Sequence, residues 1–170
     1  MEHNTSAINK KILLVGAEGV GKSTWINRIL NGEFKRDLYP TIGAEGYILN
    51  HKQYDYQDEN FRFYIIDCSG SDDVFYKGLG IKGYARSIDA LILMADVTKP
   101  DTYKYWSLTA VKEIIIENPD IVVIKCATKG DRINQTYKKK IPDGTILISS
   151  KSNYNLYKPL DQIRDAFTKG

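Results

Sequence analysis

The stretch GAEGVGKST, residues 16–24, decides how the rest of the chain is read. Gly16, Gly21, Lys22 and Ser23 match the spacing GxxxxGK[ST] in full. Before it stands KILLV (Lys11–Val15), an apolar run that predicts a short buried strand; after it, Lys22–Leu30 has the apolar spacing of a helix. Strand, glycine loop and helix in that order let backbone N–H groups turn inward on a phosphate, while the helix N-terminus adds positive potential. Lys22 can reach the outer phosphates of a nucleotide, and the Ser23 hydroxyl can bind Mg²⁺. The lining of such a loop is Glu18, Gly19, Val20, Gly21, Lys22, Ser23 and Thr24. Glu18 is the exception in it, an acid where a polyanion should be surrounded.

Outward from the loop, apolar runs alternate with amphipathic stretches. Gly46–Tyr54 and Phe61–Asp67 read as a strand pair across the polar DYQDEN. Asp89–Val97 (DALILMADV) is a continuous apolar run of the kind found in central parallel strands. Thr102–Glu117 has helical spacing and ends at Asn118-Pro119-Asp120; Asp120–Ala127 and Thr145–Ser149 read as strands, and Asn155–Thr168 as a closing helix. This pattern predicts an α/β fold of the P-loop NTPase kind, a mostly parallel six-stranded sheet with helices on both faces. A single domain over residues 1–170 is expected, with 1–9 as a flexible N-terminal segment.

Composition bounds the function. With 42% hydrophobic residues the chain can bury a core, and 24 basic against 21 acidic residues leave a net charge of +3, too weak to argue for direct nucleic-acid binding. Cys68 and Cys126 lie in apolar runs without metal spacing, as buried thiols in a reducing compartment would. MEHNTSAINKK has no apolar signal core, and DAFTKG carries no prenylation box, so an intracellular protein without a membrane anchor is expected.

Ligands of an open α/β sheet collect at the carboxyl ends of its strands. Asp67-Cys68-Ser69-Gly70 closes one strand: Asp67 is placed to serve Mg²⁺, and the Gly70 N–H to meet a γ-phosphate. Thr128-Lys129-Gly130-Asp131 follows another, and Ser149-Ser150-Lys151 the next. An Asp131 carboxylate can accept from both the ring N–H and the exocyclic amine of guanine, a donor pair adenine lacks. The stems of Lys129 and Lys151 can pack on the faces of the base. Each tetrapeptide alone is a common turn; their order behind a phosphate loop is what points to a guanine nucleotide.

On these motifs the chain resembles the Ras-like small GTPases, with Asp67–Gly70 in place of DTAG and Thr128–Asp131 in place of NKxD. The resemblance places Thr41, in YPTIGAE, at the switch threonine that coordinates Mg²⁺ and the γ-phosphate, and Phe34 at the aromatic beside guanine. It is most similar to the Ran branch: SSKSNYNLYKP (149–159) matches that branch's SAKSNYNFEKP, and DVTKPDTY (96–103) is similar to DVTSRVTY. From Asp131 to Ser149 the chain is several residues shorter than Ran, which predicts a truncated helix there and leaves KKK (138–140) as a small basic loop; the acidic tail of Ran is not expected after the last helix. Ser71 stands where the family has its water-orienting Gln, and Glu18 where most members have Gly or a small residue.

The resemblance implies a Mg²⁺-dependent GTP/GDP switch with GTPase activity, slowed by Glu18 and Ser71, in which Lys22 and Thr41 complete the catalytic set. Effectors, exchange factors or Ran-binding-type proteins would engage residues 38–45 and 71–84, in the cytoplasm, with nuclear entry left open. The alternative is a Ran-shaped binding module or decoy that holds GTP with little or no catalysis. An ATPase or small-molecule kinase is a more distant reading, opposed by Asp131 and the lack of a lid insertion.

Overall fold

The structure is a computed structural model and describes residues 8–35, 44–49, 61–68 and 86–169. Among the described residues six strands form one sheet: β1 (Ile8–Val15), β2 (Ala44–Leu49), β3 (Phe61–Cys68), β4 (Ala90–Asp96), β5 (Val122–Thr128) and β6 (Thr145–Leu147), in the order β2-β3-β1-β4-β5-β6. Five run parallel, and β2 pairs antiparallel with β3 at the edge. The helices are α1 (Lys22–Asn31), α2 (Thr109–Glu117), a four-residue α3 (Gln135–Lys138) and α4 (Lys158–Thr168). This is the mostly parallel six-stranded sheet that the alternating pattern predicts.

Strand pleating divides the apolar residues between two cores. From β1, Ile12 and Leu14 join Trp25, Ile26 and Ile29 of α1 and Leu160 and Ile163 of α4 on one face. Leu13 and Val15 meet Ala110, Val111 and Ile114 of α2 on the other. Every residue of β4 is buried, because helices cover both its faces and β1 and β5 both its edges. The one indole of α1 keeps its donor satisfied, Trp25 Nε1 giving a 2.8 Å bond to the Leu156 carbonyl. Among the described residues no helix is long and apolar enough to cross a membrane.

Several boundaries differ from those the sequence predicts. β1 begins at Ile8, where Ile8 and Asn9 pair with Phe61 and Arg62, so those two residues belong to the sheet rather than to a flexible segment. The helix expected over Thr102–Glu117 is divided into a 3-10 segment, Pro100–Ser107, and α2, because Leu108 is extended (φ −59°, ψ 146°). The 3-10 turn is set at its start, where the Thr102 hydroxyl accepts from the Asp96 N–H at 2.9 Å and donates to the Lys99 carbonyl at 2.7 Å. α4 starts at Lys158 rather than Asn155: Asn155 has φ 51°, and Pro159 suits a first helical turn. β6 stops at Leu147, two residues short of the predicted end. α3, with four residues, is the truncated helix expected between Asp131 and Ser149.

Candidate nucleotide-binding site

β1 lies where the strand order reverses, with β3 on one side and β4 on the other, and the loop Gly16–Gly21 leaves its carboxyl end. Ligands of doubly wound sheets bind at such reversals. Gly19 (φ 75°) and Gly21 (φ 105°) take left-handed conformations that side-chain-bearing residues avoid. Gly16 is required for a different reason: a Cβ there would lie 2.5 Å from the Met94 carbonyl oxygen of β4. The loop thus runs close over the sheet and turns into α1, whose cap is Gly21 with no capping side chain and no acid in the first turn. Helix starts of this kind attract anions.

Lys22 is almost fully buried, at 6% exposure, and its Nζ donates to the carbonyls of Gly16 (2.8 Å) and Ala17 (3.1 Å). Its ammonium is therefore held across the mouth of its own loop. The side chain of Glu18 is exposed, as is Gly19, while Val20 is buried beneath them. The Ser23 hydroxyl donates to Asp67 Oδ2 at 2.5 Å, bringing two hard oxygen groups together between the start of α1 and the end of β3. That donor chemistry fits Mg²⁺, which takes one or two protein oxygens and completes its shell with phosphate and water. Thr24 continues the same first turn and is half-buried.

The loops after β5 and β6 close on this centre. The Thr128 hydroxyl shares its proton between the carbonyls of Val20 and of Ala95, the latter at 3.0 Å. Lys129 Nζ donates to the Gly19 carbonyl at 3.0 Å and pairs with Asp96 Oδ2 at 2.7 Å. Gly130 N–H donates to the Ile148 carbonyl at 2.9 Å, and a Cβ on Gly130 would come within 3.0 Å of that oxygen. The Ser149 hydroxyl, fully buried, donates to Asp131 Oδ1 at 2.7 Å, and itself accepts from the Ser152 N–H at 3.1 Å. Asp131 and Lys151 are exposed, and Ser150 is half-buried. Phe34, half-buried, follows the Gly32 cap of α1.

The structure thus brings together the loop at 16–24, Asp67, Thr128–Asp131 and Ser149. Thr41, Gly70 and Ser71 lie outside the described residues, as do most of 38–45 and all of 71–84. One member of the cluster has no part in the phosphate, metal or base motifs, although it opens the run DVTKPDTY. Asp96, 1% exposed, ends β4 and faces Lys129. Burial pushes its carboxyl up, but hydrogen bonds from Lys129 and Thr98 outweigh that and hold it below the usual carboxylate range. The available signal was an acid closing an otherwise apolar run at the carboxyl end of a central strand. Cys126 is fully buried in β5, and burial pushes its thiol well up, as expected of a structural rather than reactive cysteine.

A family model, Ras family, matches residues 11–157. The chain belongs to the Ras family. It is a small GTPase-type nucleotide-binding protein, of a family whose members bind GTP or GDP with Mg²⁺ and engage regulatory and effector proteins.

Proposed function

We propose that this protein is a Mg²⁺-dependent GTP/GDP switch of the Ran type that hydrolyses GTP slowly. The observation that carries the reading is the pair of contacts from Thr128 to Val20 and from Lys129 to Gly19, which ties the loop bearing Asp131 to the loop bearing Lys22. A base reader and a phosphate holder joined in this way suit one ligand with guanine at one end and phosphates at the other. Asp131 accepts from the guanine ring N–H and amine; Lys129 and Lys151 pack their stems on the base, with Phe34 beside it. Backbone N–H groups of the loop and Lys22 hold the phosphates. Ser23 and Thr41 would ligate Mg²⁺, with Asp67 orienting one of its water ligands. The ion supplies charge neutralisation at the β- and γ-phosphates.

Two residues support slow turnover. Ser71 is too short to span from the backbone to an attacking water as a Gln amide does. Glu18 sets a carboxylate beside the γ-phosphate, where an activating arginine has to approach. The same two residues favour the second reading, a Ran-shaped module that holds GTP and occupies partners through residues 38–45 and 71–84. The Ran assignment rests on the run at 149–159, whose Asn153, Asn155 and Leu156 bond Arg28, Leu147 and Trp25.

The nucleotide extracted from purified protein, followed by competition with guanine and adenine nucleotides in Mg²⁺, tests the reading. GDP or GTP is expected, with ATP failing to displace it. Retained GTP favours the binding module and GDP the switch. Equal displacement by ATP would overturn the guanine site.

A further inference from the structure

Asp96 is built to point in one direction. Its N–H donates to the Thr102 hydroxyl at 2.9 Å, and its carbonyl accepts from the Lys99 N–H at 2.9 Å, so the backbone is fixed on both sides. Oδ1 accepts from the Thr98 N–H at 2.9 Å and the Thr98 hydroxyl at 2.7 Å. With Oδ1 engaged in its own turn, Oδ2 is directed at Lys129 Nζ, 2.7 Å away. Lys129 in turn has φ 59°, a left-handed backbone that lysine seldom adopts and that neighbouring contacts must hold in place. Two acceptors hold its ammonium, the neutral carbonyl of Gly19 and the charged carboxylate of Asp96. The contact with Asp96 is an ion pair, and opposite charges at this distance attract more strongly than a charge and a neutral carbonyl.

We propose that Asp96 is a positioning residue for the guanine site: it holds Lys129 so that the lysine stem lies against the base and its ammonium stays on the phosphate loop. This inference rests on the base-site reading of Lys129 and Asp131. Asp96 touches neither base nor phosphate in this role and acts only through Lys129. The registration of the sheet makes it possible, since Asp96 pairs with Thr128 across β4 and β5, leaving Lys129 as the next residue beyond the sheet. Without the carboxylate, Lys129 keeps one neutral acceptor, and its flexible chain is free to leave both loop and base. Nucleotide should then escape faster.

The test is a double-mutant cycle on the dissociation rate of fluorescent GDP, with Asp96→Ala, Lys129→Ala and the pair together. Asp96→Ala is expected to speed release roughly tenfold or more, because Lys129 is left with the neutral Gly19 carbonyl alone. The double variant should release GDP no faster than Lys129→Ala alone, because the two residues act as one unit. Asp96→Asn, which keeps the shape and a neutral acceptor, should fall between wild type and Asp96→Ala. A residue that merely fastens β4 to β5 would give rates that multiply in the double variant, and that result overturns the proposal. If Asp96→Ala does not fold, Asp96→Asn decides: faster release supports the proposal, and the wild-type rate overturns it. Wild-type protein that holds no guanine nucleotide at all would instead overturn the base-site reading, and the role of Asp96 with it.

Discussion

Ser149 donates its hydroxyl proton to Asp131 at 2.7 Å and is itself fully buried. A buried donor on one carboxylate oxygen fixes the direction of the other groups that can approach this exposed acid. In the proposed base site, Asp131→Asn would put a donor against the N–H of guanine and remove a charged hydrogen bond, worth about 2–3 kcal/mol. GTP affinity should fall at least about tenfold and xanthine nucleotides should gain relative to it. Equilibrium titration with both nucleotides checks this; unchanged GTP affinity would remove Asp131 from the base site.

The Ser23–Asp67 contact predicts an asymmetry in Mg²⁺ dependence. Ser23→Ala removes an oxygen whose proposed role as a Mg²⁺ ligand serves either nucleotide, so GTP and GDP should weaken together. Thr41→Ala should weaken mainly GTP, since its proposed role is at the γ-phosphate. Titrating each variant with both nucleotides in Mg²⁺ separates the two, and equal losses on Thr41→Ala would exclude it as a γ-phosphate sensor.

Gly16 has no room for a side chain beneath the loop. Gly16→Ala would force its Cβ to 2.5 Å from the Met94 oxygen and 3.0 Å from Val20 Cγ2. Backbone of a central strand yields little, so a loss of about 1–3 kcal/mol is expected, with displacement of the loop. Thermal denaturation without added nucleotide should show a lower melting temperature. A wild-type melting curve would contradict this close approach.

Acid should expose the contribution of Asp96. Its carboxyl is held below the ordinary range in the folded protein, so its stabilisation is present above the unfolded-state value, about 3.9, and is lost as pH falls through the lower folded value. Wild type should therefore lose stability more steeply than Asp96→Asn as pH drops below about 4. Denaturant unfolding across that range measures the difference, and parallel pH profiles would exclude the linkage.

Much of this fold is legible in the sequence, for identifiable reasons. KILLV, DALILMADV and DIVVIKCA are apolar runs too short for helices and too continuous for one-sided strands, so buried parallel strands are what remains. The phosphate loop is legible because two of its glycines need left-handed backbone and a third needs contact with β4. The extent of the helix expected over 102–117 is not legible, because the bond from the Asp96 N–H to Thr102 sets a 3-10 turn and Leu108 after it is extended. Periodicity carries no trace of that bond. Asp96 escaped for a related reason. Its partner, Lys129, becomes a neighbour only through the register of β4 on β5.

The central claim is a guanine-nucleotide site in which Glu18 and Ser71 slow hydrolysis. Glu18 is exposed within the loop; in the proposed site its backbone lines the cradle and its carboxylate would lie on the γ-phosphate side. Single-turnover hydrolysis of GTP, compared between wild type and the double change Glu18→Gly with Ser71→Gln, tests this most directly. Wild type should turn over at or below roughly 10⁻⁴ s⁻¹, the order of an unassisted Ras-type site, with the double variant faster. Wild-type hydrolysis as fast as that of the double variant would contradict the claim.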